Sequence, residues 1–292
     1  MKKWGWMLSF IWIAAIIAGC SEGQSGNTAA NKTIKLAYVA WDSEIASTHV
    51  VKEVLESRLG YQVEMLQVDA GPMFAGIADG SADAMVAAWL PGTHASYMEQ
   101  YGNDVVDLGP NMHGAKIGLV VPAYMDILSI EDLTNPDVAK SLNSQIIGIE
   151  PGAGIMMATE KALEQYALEG YKLIESSSSA MALELQKAYE KKQPIVVTGW
   201  TPHWKFAKMD LKYLDDPKGV YGGEEQIHTL VRKGLEQDMK DAYTFLDQFE
   251  WTPEDMAQVM VAIEEGQTPE EAAKAWVSSN PDKIEAWIKG IE

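Results

Sequence analysis

Cysteine is almost absent. The 292 residues contain one, Cys20, so the fold needs no disulfide and no thiolate cluster can hold a metal. Histidine is sparse and scattered: His49, His94, His113, His203 and His228 show no zinc-ligand spacing. Positive charge is in deficit, with 23 Lys and Arg against 42 Asp and Glu and a net charge of −19. No basic stripe exists to neutralise phosphates, which excludes a nucleic-acid partner. The acid excess names no ligand; for a secreted protein it is a solubility feature. No second long hydrophobic run follows the first nineteen residues. Catalytic signatures are missing too: there is no GxxxxGK[ST], no HExxH and no GxSxG. Gly152-Ala153-Gly154 is a lone GxG without the third glycine of a dinucleotide site, and Ser177-Ser178-Ser179 reads as a helix start, not a nucleophile. No enzyme activity, no cofactor and no metal are expected.

What is present begins with a targeting segment. Met1-Lys2-Lys3 and the apolar stretch from Trp4 to Ile17 have the charge and length of a signal peptide over residues 1–19. The segment ends in Ile17-Ala18-Gly19-Cys20, a match to a bacterial lipobox. That match implies cleavage before Cys20, lipidation of its thiol and a membrane anchor of acyl chains on the extracytoplasmic face. The rivals are an ordinary signal peptide and a transmembrane anchor with an incidental Cys. Residues 20–32 are rich in Ser, Gly, Asn and Ala, as a flexible tether would be.

The remaining chain, 47% hydrophobic and 22% charged over the whole sequence, can bury a core. Its pattern is α/β. Ile34–Ala40 reads as a strand, Asp42 or Ser43 as the cap of a helix to about Leu59, and Gln62–Val68 as a second strand. Gly71-Pro72 opens another helix, and an apolar strand then runs into Ala88-Trp89-Leu90-Pro91. The order recurs with strands at Ile146–Ile149, Tyr171–Ile174 and Ile195–Val197, helices between them, and the end Gly199-Trp200-Thr201-Pro202. Trp89 and Trp200 thus close two related βαβαβ units about 110 residues apart. Parallel pairing and right-handed crossovers are expected in each. Ala115–Pro122 and Gln226–Arg232 read as strands crossing between two lobes, assigned here as 33–118 plus 228–292 and 119–227. Thr252-Pro253 and Thr268-Pro269 start amphipathic helices, on which Trp251, Trp276 and Trp287 are expected in the core.

Ten tryptophans are the most informative abundance. Open α/β sheets place ligands at the carboxyl ends of strands, where Trp41, Trp89 and Trp200 fall. Indole faces attract cations, and a methylated ammonium matches them best because it loses little hydration on burial. At about 2 kcal/mol per desolvated contact three rings give about 6, whereas micromolar affinity needs about 8. A second anchor is required. The backbone amides of Gly154 and Ile155 at a helix start, with His94 beside Trp89, suit a carboxylate. Cage and nest together describe a zwitterion with a quaternary ammonium. Asp42 and Glu44 read as helix-capping residues, His203 and Trp204 as supports, and Met73 and Phe74 as possible cleft borders.

Four motifs then carry a resemblance: Tyr38–Ser47 around Trp41-Asp42-Ser43-Glu44, Ala88–His94, Gly148–Met156, and Thr198–Trp204. Together they resemble the glycine betaine-binding proteins of ABC importers of Gram-positive bacteria, over about residues 33–290. The resemblance implies a two-lobed periplasmic-binding-protein-like fold of type II and a monomer that passes its ligand to a membrane permease and ATPase. It implies a prism of Trp41, Trp89 and Trp200 around the trimethylammonium group, and Gly154, Ile155 and His94 on the carboxylate. Glycine betaine, and also proline betaine, are the expected ligands. The alternatives are a choline or carnitine carrier, or a betaine-converting enzyme. Gly92 stands where relatives often carry Asn, a departure expected to alter loop stiffness and not specificity.

Overall fold

One supersecondary unit, used twice, builds the sheet. The computed structural model describes residues 32–291; the signal segment and Cys20 lie outside the described residues, as does the tether up to residue 31. In the first unit β1 (Thr33–Tyr38), α1 (Asp42–Ser57), β2 (Gln62–Gln67), α2 (Ala70–Asp79) and β3 (Ala84–Leu90) follow one another. Strand β1 pairs in parallel with β2 on one side and β3 on the other. After α3 (Ala95–Tyr101), β4 (Val105–Pro122) and α4 (Pro136–Ser141), the second unit runs β5 (Gln145–Ile147), α5 (Gly154–Gln165), β6 (Lys172–Ile174), α6 (Ser178–Glu190) and β7 (Val197–Thr201). There β5 pairs in parallel with β6 and β7. Helix α7 (Lys205–Lys208), β8 (Leu211–Tyr213) and β9 (Glu225–Arg232) come next. The sheet order is β2-β1-β3-β9-β4-β7-β5-β6, with β8 on β4, so the outer thirds repeat one arrangement.

Antiparallel β9 and β4 join the two units. Strand β4 is ten residues longer at its start than the apolar run Ala115–Pro122 suggests. Its first part pairs with β9 from Val105 to Ala115, and its second with β7 from Lys116 to Val120. Gly109 and Pro110 read as breakers in the sequence. Here they sit at register shifts, with Gly109 and Gly114 at φ 97° and 79°, so bulges absorb them. Strand β8, three half-buried residues, carries no alternation signal at all.

Local chemistry sets the helix boundaries. Helix α2 stops at Gly80, which takes the left-handed conformation at φ 79°. Helices α8 (Leu235–Asp238), α9 (Lys240–Gln248), α10 (Pro253–Glu264), α11 (Pro269–Ser279) and α12 (Pro281–Trp287) complete the described chain. Thr252 and Thr268 each form a full capping box, with Asp255 and Glu271, ahead of a proline in the first turn. Trp251, Trp276 and Trp287 are buried together: Trp276 stacks on Trp287 at 5.8 Å and meets Trp251 edge-on at 5.7 Å. Helices α10 and α11 pack on α1, which in turn packs on β1, β2 and β3. No helix among the described residues is long and apolar enough to cross a membrane.

Candidate ligand-binding site

Strand β3 is buried along its length until Leu90, so Trp89 leaves the sheet inside the protein. A five-residue turn returns the chain, with the Leu90–Pro91 peptide cis. The turn closes on itself twice. The His94 amide donates to the Trp89 carbonyl at 2.9 Å, and the Trp89 amide donates to His94 Nδ1 at 2.9 Å. Because Nδ1 accepts, the imidazole proton resides on Nε2. That nitrogen is buried and meets no hydrogen-bond partner among the described residues. Burial holds the ring neutral, with its pKa lowered to about 3. Glu225 of β9 fixes the outside of the turn by accepting from the Gly92 and Thr93 amides, each at 2.7 Å, and from the Thr93 hydroxyl.

Trp200 occupies the equivalent place in the second unit. It lies on β7 opposite Ile117 of β4, and the Thr201–Pro202 peptide is also cis. Trp41 precedes α1 in an extended conformation, its ring stacked on His94 at 5.8 Å. Each indole N–H is tied back by a side chain. Trp89 Nε1 donates to Glu44 at 2.8 Å, Trp200 Nε1 to Ser43 Oγ at 3.1 Å, and Trp41 Nε1 to Glu150. Glu44 is fully buried, which pushes its pKa up to about 7 against the hydrogen bonds from Trp89 and Ser47.

Asp42 and Glu44 therefore do not cap α1, contrary to the expectation from sequence; no side chain caps that helix. Asp42 accepts from Ser178 Oγ at 2.6 Å and Trp204 Nε1 at 2.8 Å, and His203 Nε2 stands 3.5 Å away. Burial works against ionisation of Asp42, but the nearby His203 and the hydrogen bonds from Ser178 and Trp204 prevail and hold it below the usual carboxylate range. His203 and Trp204 act as supports, as expected. Met73 and Phe74 are buried and do not reach the cavity; Phe74 packs on His94 and Tyr97 instead.

Glu150-Pro151-Gly152-Ala153 delivers the chain into α5. The first amides of a helix have no acceptor within it, and those of Gly154 and Ile155 meet none among the described residues. Gly154 is there because the Thr93 carbonyl of the facing turn lies 2.3 Å from where a Cβ would stand. Gly92 is confined for a similar reason, with Glu225 Oε1 at 2.7 Å from a Cβ position. Close approach of Glu225 therefore bears on that position, beyond the loop stiffness expected for it.

All six residues singled out in the sequence, Trp41, Trp89, Trp200, His94, Gly154 and Ile155, line one cavity of about 30 Å³. Thr93, Ala153, Ile117 and Ile149 complete it. The two isoleucines gave no sequence signal, since a buried strand residue looks the same whether it faces core or cavity. The lining holds no carboxylate and no lysine. It brings three indoles together with the neutral imidazole of His94 and the open amides of Gly154 and Ile155.

A cleft of fixed apolar walls and unengaged donors, with no reacting group, defines a ligand-capturing protein of the α/β binding-protein class. Comparison with known proteins specifies it. Residues 32–279 match the family described as the substrate binding domain of ABC-type glycine betaine transport systems. The chain belongs to that family, which is one of transporter binding domains and not of enzymes. A stretch of 158 residues is 54% identical to the glycine betaine/carnitine transport binding protein GbuC of Listeria monocytogenes; it spans 53% of this chain and 53% of that protein. The fold matches lactococcal OpuAC in its closed-liganded conformation with glycine betaine, at 48% identity and a TM-score of 0.84, over 88% of this chain and 100% of that one. A choline binding protein in complex with choline matches at 28% identity and a TM-score of 0.82, over 89% and 92% of the two chains.

Proposed function

We propose that this protein captures glycine betaine, and also proline betaine, outside the cytoplasmic membrane and delivers it to the permease and ATPase of an ABC importer for osmoprotection. One observation carries the choice of ligand. The orphan Nε2–H of His94 and the open amides of Gly154 and Ile155 share a cavity with the three indoles. The indoles of Trp41, Trp89 and Trp200 take the trimethylammonium group; the three donors take the carboxylate. Neutral His94 donates one hydrogen bond without adding a positive charge that would repel the ammonium.

Two lobes, 33–118 plus 228–292 and 119–227, close on the ligand by a hinge. The change of partners within β4 between Ala115 and Lys116 supports that division. Contacts that would form on closing are the Asp42 cluster, Trp41 with Glu150, Trp200 with Ser43, and the Tyr97 hydroxyl donating to the Gly152 carbonyl at 2.8 Å. The protein works as a monomer in a Gram-positive cell, held to the membrane by acyl chains on Cys20.

A choline carrier is the second reading, favoured by the choline-binding neighbour. Choline has a single hydroxyl oxygen in place of the carboxylate, so it would leave at least one of the three buried donors unpaired, at a cost of about 1–3 kcal/mol. Titration calorimetry of the protein with glycine betaine, choline and carnitine separates the readings. Glycine betaine binds saturably, Trp89→Ala abolishes the binding, and His94→Ala weakens it about 100-fold while leaving any choline binding within about three-fold. Equal losses for both ligands on His94→Ala would remove the carboxylate role. No binding of any of the three would overturn the reading altogether.

A further inference from the structure

One lysine in this protein has no ordinary place. Lys205 opens α7 with its side chain fully buried, and its Nζ has no hydrogen-bond partner among the described residues. Buried lysines are rare and almost always paired. What Nζ does meet is the face of Trp200, 4.3 Å from the ring centroid. Lys205 takes no part in lining the cavity, whereas Trp200 does, so the indole separates the lysine from the ligand space. By contrast, the other lysines set over aromatic rings (Lys32, Lys116, Lys192 and Lys218) meet tyrosines. None of those rings lines the cavity.

The surroundings of Lys205 do little to hold a charge there. From β4 the packed neighbour beside Gly199 is apolar Val120. From α1 the acid that acts on it is Asp42, whose oxygens are already occupied by Ser178 and Trp204. From the turn before α7 comes His203, which burial and the charge of Lys205 keep neutral, with its pKa lowered to about 4. Burial lowers the lysine to about 7, against the pull of Asp42.

The three cage walls are therefore electrically unequal. Trp41 and Trp89 donate their N–H groups to carboxyl groups, Glu150 and Glu44, whereas Trp200 donates to the neutral hydroxyl of Ser43 and carries a lysine on its face. We infer that Lys205 is a positioning residue acting through Trp200: its ammonium occupies the π face of that wall and weakens capture of a ligand cation. The inference rests on the reading of Trp200 as a cage wall. It makes one wall adjustable and gives the carrier a built-in limit on affinity.

Glu44 also titrates near neutrality, and its ionisation strengthens cation binding in the same direction. The test therefore compares Lys205→Met with wild type, and Lys205→Met/Glu44→Gln with Glu44→Gln, by calorimetry with glycine betaine. At about pH 6 removal of the lysine tightens binding about ten-fold in both backgrounds; at about pH 8.5 the gain falls below about two-fold. Binding that is equal or weaker at pH 6, or a gain that is the same at both pH values, overturns the inference. A structural role alone would not produce a gain that disappears with rising pH.

A measurement on the wild type covers the case in which the substitution disturbs folding. In protein labelled with 13C at lysine Cε, saturating glycine betaine lowers the proton affinity of Lys205 by the factor by which protonation weakens binding, about ten-fold. A titration midpoint unmoved by ligand overturns the proposal. Failure of the wild type to bind glycine betaine at all would overturn the cage reading and this inference with it. That outcome is distinct from binding that ignores Lys205, which overturns this inference alone.

Discussion

Each of the three indoles that line the cavity is held at its N–H as well as by its packing, and for two of the three the holder is an acid. The Glu44–Trp89 pair shows what that arrangement demands. Glu44 is fully buried and has no cation beside it among the described residues, so the fold favours its protonated form. A carboxyl whose folded pKa lies above its unfolded value of 4.5 contributes stability that is complete below pH 4.5 and is lost as pH rises toward about 7. Glu44→Gln keeps the acceptor for Trp89 Nε1 and removes the titration. Above pH 7 it is expected to raise stability by about 3 kcal/mol over wild type, with no difference near pH 4. Urea unfolding of the ligand-free protein at both pH values measures this, and a stability gain independent of pH would reject the assignment. The same pair bears on function, because a bound ammonium favours the ionised carboxylate that burial disfavours.

At the scale of elements, the site is a meeting of two turns and a helix end. The Trp89–His94 turn and the start of α5 approach so closely that Gly154 sits against the Thr93 carbonyl. An alanine there would have to push backbone against backbone. Gly154→Ala is accordingly predicted to weaken glycine betaine binding at least about 100-fold, since the amides of residues 154 and 155 would retreat from the carboxylate. The melting temperature without ligand should change by less than about 4 °C, because alanine suits a helix better than glycine and the clash lies across the cleft. Calorimetric affinity read beside a thermal melt distinguishes the two effects. Loss of both together would mean that Gly154 serves folding instead of closure.

For the whole molecule the contacts that bridge the proposed cleft outside the cavity set how readily it would open. Asp42 with Ser178 and Trp204, Tyr97 with Gly152, and the surface ion pair of Lys208 with Glu265 are polar contacts, each worth on the order of 1 kcal/mol or less. On the proposed reading the ligand, by touching both sides, would supply the remaining preference for the closed arrangement. Glycine betaine at about 1,000 times its Kd is expected to add about 4 kcal/mol to stability. In a chain of this size that is a rise of roughly 8–16 °C in melting temperature. The radius of gyration by X-ray scattering should fall on addition of ligand. A ligand-independent radius would show that the cleft does not open in solution.

Much of this was legible in the chain itself. Apolar runs ending in Trp-x-Pro placed Trp89 and Trp200 at strand ends, and Thr252 and Thr268 announced their helices through capping boxes. These signals are local, set by side-chain period and by hydrogen bonds a few residues long, and a sequence states such things directly. Tertiary structure alone decided which distant groups meet. Glu44 stands behind Trp89, Asp42 receives Trp204, and Lys205 lies across the Trp200 ring, pairings that no spacing encodes. It also decided that Gly109 and Pro110 bend β4 without ending it, because the register of β9 beside them absorbs the extra residues. Burial, which neutralises His94 and makes an unpaired lysine consequential, is a property of the packed whole, and it is burial that turns these side chains into a site.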